Sequence, residues 1–499
     1  MRGKPKMGSG VIFRERIRKM TPDPIFSYGI SRVREVVMFR YAFAAFLVVV
    51  VASVTSHTQA PATNAPVTFS KDVLPILQKN CQSCHRPGQM APMSLLTFRD
   101  ARPWARSMKS KVESRQMPPW FADPAHGEFA NDRSLAPRDV ETIARWADGG
   151  ALEGDPTDAP PPVDWPADGW EIKPDIVVRG PEFRVPARTP NDVVEWVTFL
   201  IPSGFTRDTW ITSLEIKPSE MAVTHHICFT FEPHRPNAKY YVANWTESPR
   251  DDEGAAIPTA APTGPPRPRP TASGRTPAAD LGGGFNCWVP GRAADDYRPF
   301  GAGKLIPAGS DISFQVHYTP NGKEVVDRPL IGFTVSDKAP EKRWMSYGIV
   351  GGGPDFAIPP NEANYKSPPF ELEFAADAEL VEFMPHMHVR GKTMTYRLVY
   401  PDGRVEIPLS VPKYDFNWQL LYQPKKPIRV PKGTKMIVDA YYDNSRANRH
   451  NPNPERTVYL GRMTWEEMMA PFFGVLIDSK TDPTSVLKLG RFLVSGGGA

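Results

Sequence analysis

Beyond residue 172 the chain alternates apolar and polar positions with a period of two in many short runs. Examples are Val193 to Ile201 (VVEWVTFLI), Asp311 to Tyr318 (DISFQVHY) and Met436 to Tyr442 (MIVDAYY), each bounded by Gly, Pro or Asn. Successive side chains of a strand point to opposite faces, so this pattern predicts antiparallel strands layered as sandwiches or closed as barrels. Nearer the N-terminus the period lengthens. Phe69 to Asn80 (FSKDVLPILQKN) carries its apolar residues at helical spacing, and Pro137 to Gly149 (PRDVETIARWADG) reads as an amphipathic helix stopped by Gly149-Gly150.

Between the two patterns lies a proline-rich stretch, DPTDAPPPVDWPADGW. It divides the chain into a small helical unit (61–154), a linker (155–172) and a mainly β remainder. The glycine run Gly351 to Gly353 splits that remainder into β units of 173–350 and 351–499. Residues Ala255 to Ala279 are dominated by Pro, Ala, Thr, Gly and Arg, which bury too little apolar surface to fold. A mobile surface insertion is expected there. A chain of 499 residues is long enough for several domains, and its 56 prolines argue against a largely helical protein.

The formal charge of +5 is unevenly distributed: residues 1 to 60 carry a net +7, which leaves −2 for the rest. No concentrated basic surface is therefore expected, and nucleic acid is not an expected partner. The first sixty residues read as a leader. Tyr41 to Val54 (YAFAAFLVVVVASV) is an apolar run preceded by Arg40 and followed by small residues, and it is short for a membrane span. This predicts a secretory signal peptide, with Met38 as the working start and export to the periplasm or outside the cell; an uncleaved membrane anchor is the alternative.

Two of the four cysteines stand in Cys81-Gln82-Ser83-Cys84-His85. In C-x-x-C-H the two thiols add to the vinyl groups of a haem, and the adjacent imidazole becomes the proximal ligand of its iron. The pattern predicts a covalent haem c and a small cytochrome-like unit. A zinc knuckle would need a second Cys/His pair nearby, which the sequence does not supply. Met117, in QMPPW, is the candidate distal ligand, with Met90, Met93 and Met108 as rivals. The other two cysteines, Cys228 and Cys287, bracket the proline-rich insertion. In an oxidising compartment a disulfide is the simplest reading, with a copper thiolate as the alternative.

Histidines supply the remaining chemistry. His386 and His388 form an H-x-H pair whose side chains share one face of a strand. His225 and His226 are adjacent, so joint ligation would require a local twist of the strand. His317 stands in FQVHYTP, and Glu466-Glu467-Met468-Met469 offers thioether sulfur. Imidazoles with a thioether suit copper in its reduced state.

The order HH, V-H-Y, H-x-H followed by Gly391-Lys392, then E-M resembles the type II copper, ascorbate-dependent monooxygenases, the family of peptidylglycine hydroxylating monooxygenase and dopamine β-monooxygenase. The resemblance covers roughly Asp175 to Phe473. It implies two jelly-roll β-sandwiches facing across an open cleft, with one copper ion on each. It further implies a first copper on His225, His226 and His317 that transfers electrons, and a second on His386, His388 and Met468 where dioxygen and a substrate C–H bond react. An ascorbate-like reductant or a redox protein would supply electrons, which the haem replaces or relays. The family grips a peptide carboxylate at positions that here read Met384, Ala470 and Phe472. A less polar small organic substrate is therefore expected. The alternative is a non-catalytic haem-copper electron-transfer or copper-binding protein.

Overall fold

A computed structural model describes residues 65–189, 195–234, 241–244, 284–292, 294–461, 463–490 and 494–495. The leader and the insertion at 255–279 lie outside the described residues. The chain from Pro66 onward is one compact unit.

This unit is mainly β, as the period-two runs predict. In the strand Lys435–Tyr442, Met436, Val438, Ala440 and Tyr442 face inward while the intervening residues are less buried. Three sheets dominate. A five-stranded sheet runs in the order Tyr241–Asn244, Glu195–Pro202, Ser310–Tyr318, Thr224–Pro233 and Phe285–Trp288. A six-stranded sheet is built around Gly391–Val399, Lys435–Tyr442 and Phe370–Phe374. Between them a nine-stranded sheet spans both halves of the β region, its halves joined where Lys342–Tyr347 pairs in parallel with Ala302–Ile306.

Each smaller sheet shares a core with one half of the large one. Phe199, Phe229 and Phe314 of the five-stranded sheet pack with Ile211, Leu214 and Phe333 of the large sheet. Leu372, Tyr396 and Val438 of the six-stranded sheet pack with Leu380, Phe383 and Val475. The strand Lys342–Tyr347 pairs along its length with Ala470–Asp478, so the chain enters its second β layer ahead of residue 350. Those two central strands, Ala378–His386 and Ala470–Asp478, are buried almost throughout because both of their faces are covered.

The helical segments close a separate core. Leu74–Asn80, Ala105–Glu113 and Pro137–Asp148 bury Phe69, Leu77, Met108, Val112, Ile143 and Trp146 against one another. Gly150, at a φ of 90°, takes the left-handed turn that ends the last helix. Two straps bind this core to the β sheets. Along residues 120–131, Trp120 and Phe129 pack on Tyr422 with ring centroids 4.8 and 5.6 Å away, and Ala130 N–H donates to the Gln423 carbonyl at 2.8 Å. The proline-rich stretch is the second strap. Arg86 sits 4.1 Å over the Trp165 ring, and the buried Glu215 carboxylate accepts the backbone N–H groups of Glu171 and Ile172 at 2.8 and 3.0 Å.

Candidate metal centre

The strand Thr224–Pro233 pairs with Ser310–Tyr318 so that His226 stands opposite His317 while Tyr318 stands opposite Thr224. His225 is therefore the extra residue of a β-bulge. A bulge re-aims a side chain that regular alternation would send to the far face, which provides the local twist that joint ligation by neighbouring histidines requires. The ligand atoms of His225, His226 and His317 lie within 4.8 Å of one another. The Nδ1 atoms of His225 and His226 approach to 3.0 Å. On the opposite face of the same strand, Ile312, Phe314 and Val316 fill the core, which fixes His317 in place.

His386 ends the strand Ala378–His386, opposite Ala470, and His388 follows with its ring centroid 5.4 Å from that of His386. The residue before Met468, Glu467, ties its stretch of backbone to that of His388. Glu467 has no exposure to solvent and accepts the backbone N–H of His388 at 2.9 Å, of Arg390 at 2.6 Å and of Met468 at 3.2 Å. Burial raises its pKa to about 7, partly offset by those three N–H groups and by the Arg390 guanidinium. Arg390, itself buried, donates to Asn444 Oδ1 at 2.8 Å and to the Trp465 carbonyl at 3.0 Å, holding the loop that leads into Met468.

Outer partners fix which nitrogen each ring presents. His386 Nδ1 is 2.8 Å from Gln419 Oε1, His388 Nδ1 is 3.2 Å from the Glu466 carbonyl, and His225 Nε2 is 3.2 Å from the Phe416 carbonyl. Each of these acceptors takes an N–H, which leaves the other ring nitrogen with its lone pair directed inward. For His388 that atom is Nε2, which is buried and has no hydrogen-bond partner. A buried lone pair without a partner is costly, and a metal ion would satisfy it. Burial lowers the pKa values of His226, His317 and His388 well below the usual range and those of His225 and His386 to about 4, and neighbouring histidines add to the effect at all but His386. All five imidazoles are therefore neutral at pH 7, the state in which they bind metals. Five imidazoles and one thioether sulfur make a donor set that fits copper.

At the helical unit, Cys81 and Cys84 are unbonded thiols beyond the end of helix Leu74–Asn80. The N–H groups of Cys84 and His85 both donate to the Cys81 carbonyl, winding the motif into a turn. Burial, then the neighbouring Cys84, pushes the Cys81 thiol up to about 12. His85 Nδ1 lies 3.3 Å from the Met93 carbonyl, which orients the ring and leaves Nε2 free for an iron. This donor set fits haem c. Met117 follows helix Ala105–Glu113, its N–H donating to Lys111 O at 3.2 Å. Of its rivals, Met108 is buried in the helical core, Met93 packs against that core, and Met90 packs against the first β core.

Cys228 and Cys287 are opposite one another on adjacent strands and form a disulfide. Glu467, Phe416 and Gln419 escaped the sequence reading. Their role depends on contacts with histidines 28 or more residues away in sequence, and no local spacing marks them. The EEMM run was legible only for its sulfur.

No family model matches the chain, and no curated protein matches it. Among solved structures, PNGase F, a glycosylasparaginase from Flavobacterium meningosepticum, is 8% identical with a TM-score of 0.19, over 62% of this chain and 97% of that one. The N-terminal tandem CBM22-1-CBM22-2 domain of Paenibacillus barcinonensis Xyn10C is 10% identical with a TM-score of 0.11, over 60% and 83%. Likenesses this weak carry no argument about function.

Proposed function

We propose that this chain is an exported copper-dependent monooxygenase that hydroxylates a C–H bond of a weakly polar organic molecule with dioxygen, its electrons supplied or relayed by a covalent haem c. The β units would then be jelly rolls and the helical unit a cytochrome. The observation that carries this reading is the convergence of His225, His226, His317, His386 and His388, with Met468 tied to the last pair through Glu467.

His225, His226 and His317 would hold one ion, and His386, His388 and Met468 the other. Copper bound there would supply one-electron exchange and the activation of dioxygen. The chain's part is to present neutral donors. Burial keeps protons off the imidazoles, and Gln419, the Phe416 carbonyl and the Glu466 carbonyl orient them. Cys81, Cys84, His85 and Met117 would hold the haem, which supplies single electrons.

Substrate polarity follows from the surroundings of His386. Phe472 stacks on that ring at 5.4 Å and packs with Met384, Leu421 and Ala470 in an apolar cluster. These side chains cannot hold a carboxylate, and they suit an apolar group. A disulfide also fits an oxidising compartment. Among the described residues no helix is long and apolar enough to cross a membrane.

The test is oxygen consumption coupled to hydroxylation of a panel of weakly polar substrates, in the parent and in Met468→Ala. Loss of hydroxylation in the variant, with haem reduction by an external donor intact, is expected. A variant that hydroxylates at the parent rate removes Met468 from the centre. A parent that holds copper yet consumes no oxygen with any substrate supports the non-catalytic electron-transfer reading instead.

A further inference from the structure

The residue that follows the C-x-x-C-H motif is Arg86, and its side chain is held by the proline-rich stretch. The guanidinium lies 4.1 Å over the Trp165 ring, and its Nε is buried with no hydrogen-bond partner. A cation over an indole face is attracted by the quadrupole of the ring, more strongly where water is excluded. Burial lowers the Arg86 pKa from its ordinary value, and the nearby Cys84 and Glu171 partly restore it. An arginine stays charged through such a shift. Its field reaches the Cys84 sulfur, one of the two attachment points in the haem reading.

Trp165 belongs to a segment that is itself fixed. Five residues on, the Lys217 ammonium lies 5.1 Å from the Trp170 ring, the Glu215 carboxylate accepts the N–H groups of Glu171 and Ile172, and the Glu171 carboxylate accepts Ala294 N–H at 2.9 Å. Glu215 and Lys217 stand on the strand Thr209–Lys217 of the nine-stranded sheet. Met90, four residues past Arg86, packs against the first β core. The turn that carries the motif is therefore fastened to the β region on its own account, and Arg86 is the charged member of that fastening.

Resting on the haem reading above, we propose that Trp165 clamps Arg86 beside the attachment turn so that its fixed positive charge raises the reduction potential of the haem. The linker then helps to decide how readily the haem accepts an electron. Reduction adds one negative charge to the haem, so a cation held in a partly dry setting stabilises the reduced form. A side chain released into water loses most of that effect, because the solvent screens it. One unit charge held nearby changes the ratio of reduced to oxidised haem on the order of tenfold, or about 59 mV for one electron.

Spectroelectrochemical titration of the haem band in the full-length, haem-containing protein tests this without recourse to hydroxylation. Arg86→Gln should lower the midpoint potential by about that amount, and Arg86→Lys, which keeps a charge, should recover more than half of the loss. Trp165→Leu should lower the potential in the same direction although the arginine remains. If Arg86→Gln does not fold, Trp165→Leu supplies the comparison. Midpoints equal to the parent's in both variants overturn the proposal and leave the haem reading standing. A fall in Arg86→Gln with none in Trp165→Leu overturns the clamp. A parent that carries no covalent haem overturns the haem reading together with the proposal.

Discussion

Five neutral imidazoles buried together are stable only while they stay unprotonated, and this gives the metal-free protein a definite response to acid. An unfolded histidine takes up a proton below its ordinary pKa of 6.5, whereas folded His225 and His386 do so only at about 4. Between these values the unfolded chain binds more protons, so falling pH draws the equilibrium toward it. His226, His317 and His388 act in the same direction over a wider range. Glu467 opposes them: its folded pKa of about 7, above the ordinary 4.5, contributes stability at low pH that is lost as pH rises through 7. One carboxyl does not offset five histidines. Thermal unfolding of chelator-treated protein should show the midpoint falling as pH drops from 6.5 toward 4; a flat or rising midpoint would show that the histidines are not buried together. At this scale the sequence displayed the candidate histidines plainly, as HH, V-H-Y and H-x-H. It did not display Gln419 or Glu467, because a hydrogen bond to a distant ring or a distant backbone N–H leaves no periodic trace.

Among the elements, the strand Thr224–Pro233 does the most for the centre. Its bulge at His225 lets adjacent residues serve one site, and His226 and Cys228, two residues apart, share a face. The disulfide from Cys228 to Cys287 fastens this strand to its neighbour Phe285–Trp288, one step from a ligand. It also packs with Met384, Ala470 and Phe472 in the apolar cluster beside His386. A disulfide closing a loop across a sequence separation of 59 typically contributes about 2–4 kcal/mol. The Cys228→Ser/Cys287→Ser double variant should lose that much unfolding free energy in a denaturant titration, and a loss near zero would mean that the strand pairing alone holds the site. Strand positions were legible from alternation, as MIVDAYY shows. The bulge was foreseen only as a requirement, since nothing in THHIC distinguishes a bulge from a regular strand. The proline-rich stretch was read as a spacer because its composition resembles one. Trp165, Trp170 and Ile172 instead give it surface to pack, through Arg86, Lys217 and Glu215.

For the molecule as a whole, the nine-stranded sheet shared by the two β layers has the largest consequence. It carries His386 on one of its strands, while the five-stranded sheet packed against its other half carries His225, His226 and His317. Sequence order could suggest two histidine groups but not their contact, because the register between distant strands is a tertiary property. The helical core is fastened to the same frame through Trp120 and Phe129 on Tyr422, three residues beyond Gln419. The measurement that bears most directly on the whole account is the copper content of the reconstituted, dialysed protein. The parent should retain two tightly held ions per chain, and His317→Ala and His388→Ala should each retain one. A parent that holds no copper after dialysis, or variants that hold as much as the parent, would contradict it.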